Sequence, residues 1–392
     1  MTFWRIIRFD NFEVVTFKQF AVMEVGMIDN MEEIVFEDVE RQVDVEIPHD
    51  VRKLTTQAYD KSVSDVVRMI SEKELILDPD YQRNYVWDNK KASKLIESII
   101  LNVPIPVIYV SEEQDSSWSV IDGLQRLNSL KRFFDGKFKL SGLEILYELN
   151  KCDFKALPSK SLRMLKNGLL RIIMVTADSN DDIKYDIFMR LNTGSVHLNE
   201  QELRNCLYRG KLNTFLLEES KNPKWLEMLG LQEPHKRMSD RELLLRFIAL
   251  GTSWNRVEKM VKGYKGNMKS FLNSFMKQHQ NDVANLNYYK TLCEDTIDKV
   301  YEIYGELAFR RLNEDGSVTP VNRAIMDAVL ISSIPYSLDK LKGKKKEILE
   351  RFFNDLNINS DFRGSTLNST SDTKVLNFRI SYWCEVIDDL MQ

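Results

Sequence analysis

A change of periodicity near Tyr208 constrains the fold more than any other feature of this chain. Before it, short apolar runs alternate with amphipathic stretches; beyond Lys211 only helical spacing remains. Ser64 to Lys73 and Lys90 to Leu101 carry helical patterns, with Ser62 or Ser64 capping the first and Asn102, Pro104 and Pro106 stopping the second. Leu75-Ile76-Leu77, Val107 to Val110, Trp118 to Ile121 and Leu169 to Val175 read as short strands, and Asp182 to Leu191 as a helix. Arg241–Leu250, Asn267–Lys277, Asn287–Tyr304, Ala324–Ile331 and Lys344–Leu356 then follow as helices. The expected fold class is α+β: an α/β core followed by a mainly α-helical C-terminal half.

At 392 residues the chain exceeds one average domain. The expected division is an acidic, mobile leader over 1–54, a mixed domain over 55–210 and a helical domain over 211–392. Met27 and Met31 stand inside the leader as alternative starts. A net charge of −4 argues against a constitutive nucleic-acid coat, while leaving local basic faces open. Arg5, Arg8, Asp10, Glu13 and Lys18 interrupt the apolar first residues too often for a signal peptide or membrane span. Cys152, Cys206, Cys293 and Cys384 lie far apart, which speaks against a zinc site and a disulfide framework and fits a reducing cytoplasm.

Four clusters are candidates for chemistry. In Ile121-Asp122-Gly123-Leu124-Gln125-Arg126 an apolar strand meets a glycine turn and an amphipathic run. Such a junction aims backbone N–H groups and the positive end of a helix dipole at one point. Asp122 would hold a metal or water and Arg126 would fork onto a phosphate; in the alternative Asp122 caps the helix and Arg126 is a surface residue. Tyr81-Gln82-Arg83 through Trp87 suits base stacking and phosphate contact, or else anchors an irregular loop. Arg190-Leu191-Asn192-Thr193-Gly194 leads to Asn199, with Glu202 placed for a capping box. Arg190 and Arg204 either converge on a ligand or pair with carboxylates such as Glu200. The fourth cluster is basic: Arg310-Arg311 with Asn322-Arg323, and a lysine run from Lys340 to Lys346 that reads as a solvated helix start. Gly364 to Ser371 reads as a flexible polar loop. His197 is a lone candidate whose bland reading is structural.

Several classes are excluded. No GxxxxGK[ST] loop marks a P-loop NTPase, no GxGxxG opens a Rossmann unit, and no GxSxG marks a hydrolase elbow.

Taken in order, Tyr81-Gln82-Arg83 with Trp87, Pro104-Ile105-Pro106, Ile121-Asp122-Gly123-x-Gln125-Arg126-Leu127, Phe188-x-Arg190-Leu191-Asn192-Thr193-Gly194 and Leu198-Asn199-x-Gln201-Glu202-Leu203-Arg204-Asn205 resemble the N-terminal domain of GmrSD-type restriction endonucleases. That family is ParB/sulfiredoxin-like, and the resemblance spans roughly Thr55 to Tyr208. It implies a prokaryotic defence protein that binds and hydrolyses a nucleoside triphosphate with Mg2+, coupled to recognition of foreign DNA. Asp122, Gln125 and Arg126 would be catalytic, with Asp122 on the metal; Gln82, Arg83, Gly123, Arg190, Asn192 and Arg204 would bind the nucleotide. Leu124 stands where the family loop has glutamine, which favours binding over hydrolysis. No HNH-like pattern follows Lys211, so the resemblance implies a separate nuclease partner. Two readings of other classes stay open: a DNA-binding or nicking module using the same arginines, and a non-catalytic interaction scaffold whose site has decayed.

Overall fold

The computed structural model describes residues 36–38, 55–77, 87–113, 115–179, 199–313 and 315–392. Gln82, Arg83, Arg190, Asn192 and His197, with the helix expected over Asp182–Leu191, lie outside the described residues.

The first part is built on a five-stranded mixed sheet of β1 (Thr56–Ser62), β2 (Leu75–Ile76), β3 (Ile108–Glu112), β4 (Trp118–Asp122) and β5 (Leu169–Val175), in the order β1-β5-β3-β4-β2. β1 runs antiparallel to β5, β5 parallel to β3, β3 antiparallel to β4, and β4 parallel to β2. Four helices pack on it: α1 (Val63–Ser71), α2 (Asn89–Ile100), α3 (Leu124–Phe134) and α4 (Ser159–Asn167). The first two start where local chemistry says they should. Ser62 accepts from the Asp65 N–H at 3.1 Å, and Asp88 accepts from the Lys91 N–H at 2.7 Å.

Alternation along the strands separates the two faces of the sheet. Ile108, Val110, Val120, Leu170, Ile172 and Met174 point into a core shared with α1 to α4. Ile121 and Val175 point the other way, onto Leu203 of α5 (Glu200–Leu207). β1 carries no apolar alternation, being exposed at Thr56, Gln57, Ala58 and Asp60. That is why its pairing with β5, rather than its sequence, defines it.

The rest is helical: α6 (Lys211–Glu219), α7 (Pro223–Leu229), α8 (Ser239–Ser253), α9 (Met268–His279), α10 (Val283–Tyr304), α11 (Arg323–Ser333), α12 (Leu338–Gly343), α13 (Lys345–Ile358), α14 (Ser360–Leu367) and α15 (Thr373–Met391), with a short hairpin at Trp254–Asn255 and Met260–Val261. They enclose a second core that includes Trp225, Phe247, Phe309, Phe352 and Trp383. From Ala324 to Ser333 every residue of α11 is buried, as expected of a helix that is apolar around its circumference. Its single carboxylate, Asp327, receives both the Arg246 guanidinium, at 2.8 Å to each oxygen, and Arg379 Nη2 at 2.6 Å.

The polar stretch expected as a flexible loop at Gly364–Ser371 is different. Gly364 to Leu367 close α14, and Ser365, Thr366, Thr370 and Ser371 are buried. Asn359 caps that helix, Phe362 anchors it, and the Ser365 and Thr366 hydroxyls donate to the Phe362 and Arg363 carbonyls. Hydroxyls that satisfy themselves on their own helix can be buried at little cost. Among the described residues no helix is long and apolar enough to cross a membrane.

Candidate functional site

β4 ends at Asp122, and the chain turns into α3 through Gly123, whose φ of 102° is left-handed. A side chain there would be strained, and its Cβ would also sit 3.0 Å from Ile108 Cγ1. The turn is therefore reserved for glycine. The ladder reaches Asp122 through a register shift between Tyr109 and Val110, an irregularity of the kind that re-aims a strand end. As the N-cap of α3, Gly123 puts no side chain over the first-turn amides of that 11-residue helix.

Arg126 leans back across this turn. Its Nη2 donates to Asp122 Oδ2 at 2.7 Å, and its Nη1 donates to the Pro106 and Val107 carbonyls. One side chain thus ties α3, the end of β4 and the proline segment that leads into β3. Burial pulls the guanidinium below its usual value and the Asp122 carboxylate opposes that shift. An arginine held this way remains a cation at any working pH. The Arg126 side chain is 12% exposed and that of Asp122 37%, so the carboxylate is the more accessible partner. Any metal at Asp122 has to share that carboxylate with Arg126.

Leu124 occupies the first position of α3 and turns inward, 8% exposed, into the core beneath the sheet. Gln125, the next residue, is half-buried at the rim. The two neighbours of the loop sequence therefore face different surroundings, one apolar and one open.

The capping box expected from spacing is present at α5. Asn199 accepts from the Glu202 N–H at 2.9 Å, and Glu202 Oε2 accepts from the Asn199 N–H at 2.7 Å. Its arginine faces away from the loop strand. Arg204 is fully buried; Nε donates to Asn273, Nη1 to Gln201 and Glu242, and Nη2 to Glu200, at 2.8 to 3.1 Å. These partners lie on α5, α8 and α9, whereas the α5 side chain packed with Ile121 of β4 is Leu203. The structure thus brings Asp122, Gly123, Gln125 and Arg126 together and directs Arg204 elsewhere.

Sequence spacing does not show that three further groups meet this turn. The Pro106 and Val107 carbonyls and the Ile108 side chain shape the turn from a strand that only tertiary pairing brings alongside. Trp87 packs at the edge of the first core with the Lys91 ammonium 4.9 Å from its ring centre. Among the described residues no group of histidine, cysteine, aspartate and glutamate is arranged to hold a metal ion.

Searches of curated proteins and of solved structures return no match. Residues 63–209 do match a family description, that of the N-terminal domain of the GmrSD restriction endonuclease. The match runs from the first residue of α1 to just past α5, and so covers the sheet from β2 to β5, the glycine turn and the capping box. Residues 63–209 are thus similar to the N-terminal domain of the GmrSD restriction endonuclease, and the glycine turn lies inside that matched stretch.

Proposed function

We propose that the protein is a restriction-type defence protein whose Asp122–Arg126 turn binds a nucleoside triphosphate and couples that binding to recognition of foreign DNA, with a separate nuclease as the cleaving partner. The observation that carries this reading is the turn itself, placed inside the matched family domain. A glycine N-cap at the carboxyl end of an interior strand leaves the positive end of α3 uncovered by a capping side chain, a setting that favours an anion. Asp122 would position Mg2+ or a water, and Gln125 would contact the phosphates from the half-buried rim. Arg126 would hold the turn in shape while lending its charge. Gln82, Arg83, Arg190 and Asn192 complete the proposed nucleotide set. Arg204 is assigned to framing α5 rather than to the ligand, because four partners already occupy its donors.

Binding is favoured over turnover by Leu124, whose apolar side chain replaces an amide and packs inward. A panel of ATP, GTP, CTP and UTP with magnesium, read by calorimetry and by phosphate release, tests both halves. Gln125→Ala is expected to weaken binding about tenfold, the worth of one good hydrogen bond to a charged group, with little change in melting temperature. Unchanged affinity in that variant, or no affinity for any nucleotide in the parent, removes the reading in favour of the scaffold.

A further inference from the structure

The basic pair of sequence clusters at Arg311 and Asn322-Arg323 meets an acidic segment from the other end of the chain. Phe36 bridges Val321 in parallel, and the Glu37 N–H donates to the Val321 carbonyl at 3.0 Å. Glu37 accepts from Arg311 through Nε at 2.9 Å and through Nη2, and from Asn322 Nδ2 at 3.1 Å. Asp38 accepts from the Arg323 backbone N–H at 2.9 Å, from Arg323 Nε at 3.2 Å and from Thr370 Oγ1 at 3.3 Å. The Arg323 guanidinium also lies over the Phe36 ring, 4.5 Å from its centre.

Every group that receives these two carboxylates is a donor: two guanidinium groups, a side-chain amide, a hydroxyl and the first N–H of the 11-residue helix α11. That is the donor set with which proteins hold phosphate oxygens. The carboxylates come from consecutive residues, as phosphates do along a strand. Arg311 and Arg323 keep 11% and 17% of their side chains exposed, while Asn322 and Thr370 are buried. Behind these groups, the Thr370 carbonyl accepts from Arg379, which shares Asp327 with Arg246. An occupant of this donor set is thus joined by hydrogen bonds to the middle of the helical half.

We propose that Arg311, Asn322, Arg323 and Thr370 form a second anion site, separate from the glycine turn, that takes backbone phosphates of a nucleic acid. Phe36-Glu37-Asp38 is an acidic strap that fills it and keeps it from nucleic acid until displaced. The choice of nucleic acid rests on the restriction-type function proposed above; the anion site does not.

The test uses the full chain carrying E37Q with D38N, and separately F36A, which loosens the strap without touching its charges. Binding of a short labelled DNA duplex is followed by fluorescence anisotropy across a salt series. Both variants should bind DNA more than tenfold tighter than the parent at low salt. The double variant should steepen the plot of log affinity against log salt by about two, one for each phosphate newly contacted. Adding R311A and R323A to the double variant should abolish the gain. Folded variants, by circular dichroism and melting temperature, that bind DNA no better overturn the strap. If the turn still binds nucleotide in those variants, the function proposed above survives that failure. A gain for inorganic triphosphate with none for DNA overturns the nucleic-acid assignment.

Discussion

Asp240 shows how one side chain converts burial into a pH dependence. It is fully buried at the second position of α8, and its Oδ2 accepts a hydrogen bond from the His235 N–H at 3.1 Å. Desolvation raises its pKa from 3.8 to about 6, against the lowering pull of that bond and of Arg241. Between the unfolded value and about 6 the folded protein holds a proton that the unfolded chain has released, so stability falls as pH rises through that window. Above it the penalty is constant, at most about 3 kcal/mol from the size of the shift. Asp240→Asn removes the ionisation and keeps the acceptor. The melting temperature of the variant should match the parent near pH 4, exceed it increasingly up to about pH 6, and run parallel above. An offset independent of pH would rule out this account. Gly123 and Leu124 make the same point about surroundings: one is fixed by a left-handed turn, the other by the core it fills.

At the scale of the element, α5 is the joint between the sheet and the helical half. Its Leu203 is buried with Ile121 and Val175, while Arg204 binds Glu242 on α8 and Asn273 on α9. Arg204→Met keeps most of the buried volume and deletes the charge. It leaves Asn273 and Gln201 without their donor, whereas Glu200 and Glu242, about a quarter exposed, recover water. The expected loss is about 2 kcal/mol by urea denaturation, from unsatisfied amides more than from lost ion pairs. Nucleotide affinity should be unchanged in the folded variant. A loss of affinity at unchanged stability would return Arg204 to the nucleotide set. The start of this helix was legible, because Asn199 and Glu202 have the capping-box spacing. The aim of Arg204 was not, because the same spacing serves a ligand or a carboxylate and only the position of α8 and α9 decides between them.

Across the whole molecule, the helical half is organised around a charge rather than a purely apolar centre. Asp327 on the buried helix α11 joins Arg246 of α8 to Arg379 of α15. Asp327→Asn would leave two buried guanidinium groups short of their counter-charge, a change expected to cost about 3 to 5 kcal/mol. Loss of cooperative unfolding, or a melting temperature lower by ten degrees or more, is the expected readout; near-parental stability would show that the triad adds little. Sequence alone determined where the chain changes from mixed to helical, the Leu169–Val175 strand to the residue, the glycine turn into α3 and the start of α5, because each rests on side-chain period or on a cap a few residues long. Tertiary structure alone decided that exposed β1 joins the sheet, that Gly364–Leu367 is helical, and that Arg126 closes on Asp122, Pro106 and Val107. It also decided that an acidic leader segment meets Arg311 and Arg323. Each of these depends on partners distant in sequence, and neither period nor spacing says which donor will find which acceptor once the chain has closed on itself.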